Sequence, residues 1–119
     1  AAATSRAIAA LSPPPRVVSL VPMGLEGRVP MPDDEGCADY LEHLLTGRPY
    51  DHIATLQHIV EHEATNKFLR GDAPHYPPAD PIYCLQRDLV DFSLLLAEED
   101  GRLVARAWRA PATSLPQAG

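Results

Sequence analysis

A chain of 119 residues is the size of one domain, and a composition 45% apolar and 22% charged is that of a globular chain with a modest core, not a disordered one. Ten Lys and Arg against 16 Asp and Glu leave a formal charge of −6, which argues against a nucleic-acid binder, because neutralising a phosphate backbone needs a basic face. No apolar run approaches the ~20 residues needed to cross a bilayer, and the opening AAATSRAIAALSPPP lacks the basic region and long apolar core of a secretory leader, so no membrane is expected and the expected setting is cytoplasmic.

Thirteen prolines punctuate the chain, since each fixes φ and removes a backbone donor. Residues 1–11 are Ala-rich and helical in character, stopping at Pro13, Pro14 and Pro15; the abrupt opening, without a Met or a polar tail, suggests a missing upstream segment. Residues 16–21 (RVVSLV) form a β-branched run closed by Pro22 and Gly24, the pattern of a central parallel strand buried under helices on both faces. Two helices are expected next, over residues 34–45 and 50–69. In the first, Cys37, Tyr40, Leu41, Leu44 and Leu45 recur at three and four, with Gly47 as the stop. In the second, Ile53, Leu56, Ile59, Val60 and Phe68 share one broad face, and Gly71 ends it. Residues 71–80 form a Pro-rich loop, a short turn of helix surrounds Cys84, and Asp100-Gly101 between two apolar runs predicts a hairpin. Residues 112–119 read as a frayed tail. The expectation is one α/β domain over residues 1–119, a layered α/β/α arrangement with a mixed sheet, incomplete in this chain.

The candidate chemistry lies in acids and thiols. Asp33, Asp34 and Glu35 stand where N-terminal caps stand, and their charge suits the positive end of a helix. Alternatively they lie at the carboxyl edge of a sheet, where hard carboxylate oxygens hold Mg²⁺ through one or two ligands and several waters. Cys37, one turn after Asp33, is either a small buried hydrophobe or a thiol activated by its helix position. The run DPIYCLQRD puts Asp80, Cys84 and Asp88 at spacings of four, hence on one face if helical. Acids beside a thiol are unexpected in a plain core, because unpaired charge is costly to bury. His58 and His62, also four apart, suggest a metal pair, but Ile59 stands where a zinc hydrolase helix carries Glu, and the flanking Glu61 and Glu63 favour a solvated face. Arg6 either binds an anion or pairs with an acid. Cys37 and Cys84, with no secretory features around them, read as reduced thiols.

In order and spacing, four blocks resemble the 2-phosphosulfolactate phosphatase family: TSRAIAAL; VSLVPMG followed by DDEGCADYLEHLL; TNKF; and DPIYCLQRDLVDFSLLLAEEDGRLVAR. The resemblance covers most of the chain, but only the second half of a family member. It implies an α/β enzyme of coenzyme M biosynthesis that uses Mg²⁺ to hydrolyse the phosphate ester of a small 2-hydroxy acid, 2-phosphosulfolactate or a relative. By that resemblance Asp34 and Asp33 are the metal or water-positioning acids, Arg6 holds the phosphate, and Cys37, Asp80 and Cys84 belong to the pocket. The rival expectation is a non-catalytic relative or fragment that binds a partner chain or a small anion. Either way a partner is expected for half a sheet: another chain, a second copy or a missing N-terminal half.

Overall fold

A computed structural model describes residues 1–111, and the elements in them follow in chain order as α1 (Ala2–Ala9), α2 (Pro32–Thr46), α3 (His52–Glu61), α4 (Glu63–Arg70), α5 (Ala79–Cys84), β1 (Phe92–Glu99) and β2 (Arg102–Arg109). Helix and sheet are both present, as the α/β reading requires. The expected frayed tail lies outside the described residues.

The sheet is one antiparallel pair, in register from Phe92 opposite Arg109 to Glu99 opposite Arg102. Asp100 and Gly101 turn it with φ values of 51° and 74°, both positive, as a two-residue turn that follows the strand twist demands. The hairpin expected at Asp-Gly is therefore in place. The strand expected over residues 16–21 is not: it is irregular, with no ladder partner among the described residues, and Val17 is 81% exposed. A β-branched run favours extended backbone, but a strand also needs a neighbour to satisfy its amides, and the hairpin pairs only with itself. Neither a parallel pair nor a mixed sheet is therefore formed among these residues.

Helix α2 begins earlier than its apolar pattern suggests. Pro32 occupies the first turn, where its missing N–H costs nothing, and Met31 before it is extended (φ −124°, ψ 132°), as a residue preceding proline prefers. This overturns the capping role expected of Asp33 and Asp34. The cap position belongs to Met31, no side chain caps the helix, and the acids fall inside the first turn, where they still favour the positive end. Gly47 ends the helix in the left-handed region (φ 76°), its N–H bonded to the His43 carbonyl at 2.8 Å.

The single helix expected over residues 50–69 is two. Asp51 caps α3 by accepting the Ala54 N–H at 3.0 Å, and the helix stops at His62, which is extended (φ −75°, ψ 139°). The same His62 starts α4, its Nδ1 accepting the Ala64 N–H at 3.2 Å. The His58/His62 pair thus loses its shared helical face, and His62 Nδ1 is engaged in a cap. Gly71 closes α4 as expected (φ 64°), the loop after it is held by Phe68 against Tyr76 with ring centroids 4.8 Å apart, and α5 takes over at Ala79.

The interior is thin. Ala3, Ala7 and Ile59 form its buried apolar part, with Ala3 and Ala7 turning one face of α1 toward α2 and the hairpin. Where α2 crosses α3, buried Gly36 admits Thr55 and Ile59 so closely that a Cβ would stand 2.6 Å from Thr55 Cγ2. The chain exposes 9264 Å². Much apolar surface is uncovered: Val17, Ile53, Leu96 and Leu103 are each more than 70% exposed.

Candidate functional site

Helices α2, α3, α4 and α5 surround an open cleft of about 290 Å³. Two of its walls repeat one pattern. Asp33 and Cys37 stand one turn apart on α2, Asp80 and Cys84 one turn apart on α5, and all four line the cleft. The two helices converge on a single thiol: Cys84 is pushed above the ordinary thiol range first by desolvation at the cleft wall, then by the negative charges of Asp80 and of Asp33. Two carboxylates distant in sequence therefore line the same cleft as that thiol. Cys84 and Cys37 are both free and both exposed, so of the two readings of Cys37 the small buried hydrophobe is not the one found.

The other two sequence candidates lie elsewhere. Asp34, adjacent to Asp33 on α2, does not face the cleft; its Oδ2 accepts the Gly24 N–H at 2.6 Å. That bond ties the loop before α2 to its first turn. The loop itself closes through a bridge between Leu25 and Val29, and Gly24 (φ 63°) has no room for a Cβ against the Val29 carbonyl oxygen. Arg6 is exposed on α1 and does not line the cleft. The arginine that does is Arg87, whose guanidinium carbon lies 5.5 Å from the centroid of the Tyr40 ring.

Asp88 also reaches the cleft, though not on the helix its spacing suggested. Helix α5 ends at Cys84, and Asp88 follows in a left-handed conformation (φ 53°) that turns it toward α2. Its carboxylate accepts from Tyr40 Oη at 2.7 Å and from the Ala2 N–H at 2.6 Å. Partial burial works to raise the Asp88 carboxyl, but the hydrogen bonds from Tyr40 and Ala2 work against it, and the group lies below the usual carboxylate range. Tyr40 moves the other way, above the usual phenol value, because its hydroxyl is bonded to Asp88 and partly desolvated.

Tyr50 and His52, from the connection into α3, complete the wall beside Tyr40. The Tyr40 and Tyr50 rings lie 5.1 Å apart, and Tyr50 Oη is 3.2 Å from His52 Nδ1. Burial and then the Arg87 charge lower the His52 pKa, against a smaller opposing effect of Asp51, so its imidazole is neutral near pH 7. Sequence reasoning missed Tyr40, Tyr50, His52 and Arg87. Tyr40 was hidden in the apolar stripe of α2, and Arg87 was visible only as the residue before Asp88.

The Tyr40–Asp88 bond makes a pH-dependent contribution with a definite sign. A lowered carboxyl contributes stability that is present above its unfolded value of about 3.9 and lost as pH falls through the folded value. A raised phenol contributes stability present below about 10 and lost as pH rises through its folded value. Tyr40→Phe should therefore lower the melting temperature by a constant amount between pH 5 and 9, with the gap to the parent closing in strong acid and in strong base. Thermal denaturation of both chains from strong acid to strong base is the check: no gap near neutrality would mean the hydroxyl contributes nothing, and a gap that persists unchanged at both extremes would mean its contribution does not come from the bond to the ionised Asp88.

The resemblance implies Mg²⁺, and the donors at the cleft can be tested against it. Among the described residues no three His, Cys, Asp or Glu side chains come together as a metal cage. Such a cage suits zinc, whereas Mg²⁺ keeps most of its waters and needs one or two carboxylates. Asp33 and Asp80, converging on a cleft open to water, fit that second requirement; Asp34, committed to Gly24, does not share it. No family model, no curated protein and no solved structure matches the chain. The resemblance rests on the blocks quoted for it. No helix among the described residues is long and apolar enough to cross a membrane.

Proposed function

We propose that the cleft binds the phosphate ester of a small 2-hydroxy acid, 2-phosphosulfolactate or a relative, and hydrolyses it with Mg²⁺ in the cytoplasm, where both thiols stay reduced. The observation that carries this reading is the convergence of Asp33 and Asp80 beside Cys84, with Arg87 lining the same cleft. Phosphoryl transfer requires charge neutralisation and positioning more than covalent chemistry, and a bound Mg²⁺ supplies the first. Asp33 and Asp80 would hold it. Arg87 offers a planar fork of donors that matches phosphate or carboxylate oxygens, the role the resemblance gives to Arg6. Neutral His52 can accept the proton of an attacking water. Cys84, kept protonated by its surroundings, acts as cleft wall and not as nucleophile. The family pattern's metal role thereby moves from Asp34 to Asp80, with Asp33 retained.

The metal half of this reading has a readout separate from turnover. Desolvation and then the charges of Asp80 and Asp33 hold the Cys84 thiol up, so a divalent cation on those carboxylates should bring it down and expose more thiolate. Alkylation of Cys84 by iodoacetamide, followed by peptide mass spectrometry at pH 8, should accelerate several-fold on adding millimolar Mg²⁺ at constant ionic strength. An identical Cys84 rate with and without Mg²⁺ would remove the ion from Asp33 and Asp80. Phosphate release from a panel of phosphorylated 2-hydroxy acids tests the other half. The rival reading, a binding protein without catalysis, draws on the bare apolar surface of the chain and predicts ligand-induced stabilisation with no release.

A further inference from the structure

We infer that the outward face of the hairpin is an interface between two copies of this chain, packed face to face about a two-fold axis. Residues directly opposite in an antiparallel ladder share a face. One face carries Ser93 opposite Trp108, Leu95 opposite Arg106 and Ala97 opposite Val104. Helix α1 covers one end of it: Ser93 is 6% exposed and its Oγ lies 3.3 Å from Thr4 Oγ1, with Trp108 and Val104 half-buried, while Leu95, Ala97 and Arg106 are exposed. The other face carries Leu94 opposite Ala107, Leu96 opposite Ala105, and Leu103 opposite Glu98. It is bare, with Leu94, Leu96 and Leu103 at 63%, 73% and 76% exposure. A two-stranded sheet with one end of one face covered by a single short helix is marginal, and a contiguous apolar face on it needs a partner.

Charge points to a second copy as that partner. This face is apolar along its middle, with Glu98 at the turn end and Arg109 opposite Phe92 at the far end. A two-fold axis in the interface and perpendicular to the strands reverses their direction, which brings Glu98 of each copy to the end carrying Arg109 of the other. Arg109 is otherwise engaged only at the surface, by Asp91 at 3.2 Å and over the Phe92 ring at 5.1 Å. The face is thus complementary to itself, as an isologous contact requires.

Sedimentation velocity of the 119-residue chain, from micromolar to hundreds of micromolar, tests this directly. The expected result is a reversible monomer–dimer equilibrium. Leu96→Glu, at an exposed position where the monomer fold has nothing to lose, should leave circular dichroism unchanged and give a monomer throughout. Glu98→Arg and Arg109→Glu should each raise the dissociation constant about tenfold, equivalent to about 1.4 kcal/mol, and the double swap should restore it. A parent chain monomeric at every concentration overturns the inference and assigns the face to a different chain. Association that ignores Leu96→Glu, or a double swap no tighter than the singles, overturns it as well.

Discussion

If the proposed phosphatase reading holds, Asp33→Asn and Asp80→Asn should each lower Mg²⁺-dependent phosphate release by a factor on the order of 100 or more, the scale on which losing one preorganised electrostatic contact acts in a transition state. Asp34→Asn does something else. Its carboxylate accepts the Gly24 N–H at 2.6 Å outside the cleft, so the substitution weakens a charge-assisted bond and costs about 1–3 kcal/mol of stability, while activity per folded molecule is retained. Adjacent acids on one helix thus separate into a site residue and a loop anchor, because their side chains leave α2 about 100° apart. Steady-state phosphate release, normalised to the folded fraction from thermal denaturation, distinguishes the two. Loss of activity in Asp34→Asn with unchanged stability would return the metal role to Asp34 and leave Asp80 as wall. The alkylation experiment gains a control from the same variants: with Asp33 or Asp80 neutralised, the Cys84 thiol should already react faster and respond less to Mg²⁺.

Elements whose signal is local were legible in the sequence. Asp100-Gly101 specifies its own turn through the φ values it tolerates, and Gly47 and Gly71 end α2 and α4 in the left-handed region that glycine enters freely. The failures share a cause: each needed information from outside the segment. Residues 16–21 carry strand propensity, but only a neighbouring strand converts it into sheet. The apolar stripe of residues 50–69 runs through His62 because periodicity records which face is apolar and not whether the backbone is continuous. The site divides the same way. Asp33 with Cys37, and Asp80 with Cys84, are visible as spacings of four, whereas the fact that the two pairs line one cleft is tertiary. Arg6 and Arg87 are equivalent in composition; only their position relative to the cleft separates them.

The crossing that creates this cleft depends on Gly36, so adding bulk there should disable the protein more thoroughly than changing any acid. Gly36 lies between Asp33 and Cys37 in sequence, with the Thr55 and Ile59 side chains of α3 against its Cα. A Cβ would stand 2.6 Å from Thr55 Cγ2, and Thr55 cannot simply turn away, because its Oγ1 donates to the Asp51 carbonyl at 2.8 Å in the cap region of α3. Gly36→Val should therefore cost about 3 kcal/mol, at the upper end for overpacking. Because α2 and α3 are forced apart, it should also carry Asp33 away from Asp80 and abolish the Mg²⁺ response of Cys84. Gly36→Ala sets two effects against each other: the same clash, and the roughly 1 kcal/mol by which alanine favours helix over glycine. Thr55→Ser deletes the clashing methyl and keeps the hydroxyl. In a double-mutant cycle read by urea denaturation, Gly36→Ala alone should be destabilising, whereas Gly36→Ala with Thr55→Ser should exceed Thr55→Ser alone by up to about 1 kcal/mol, since only the helix preference remains. Additive effects of the two substitutions would mean that Thr55 does not limit the approach of α2 to α3, and the cleft would then owe its width to something other than this glycine.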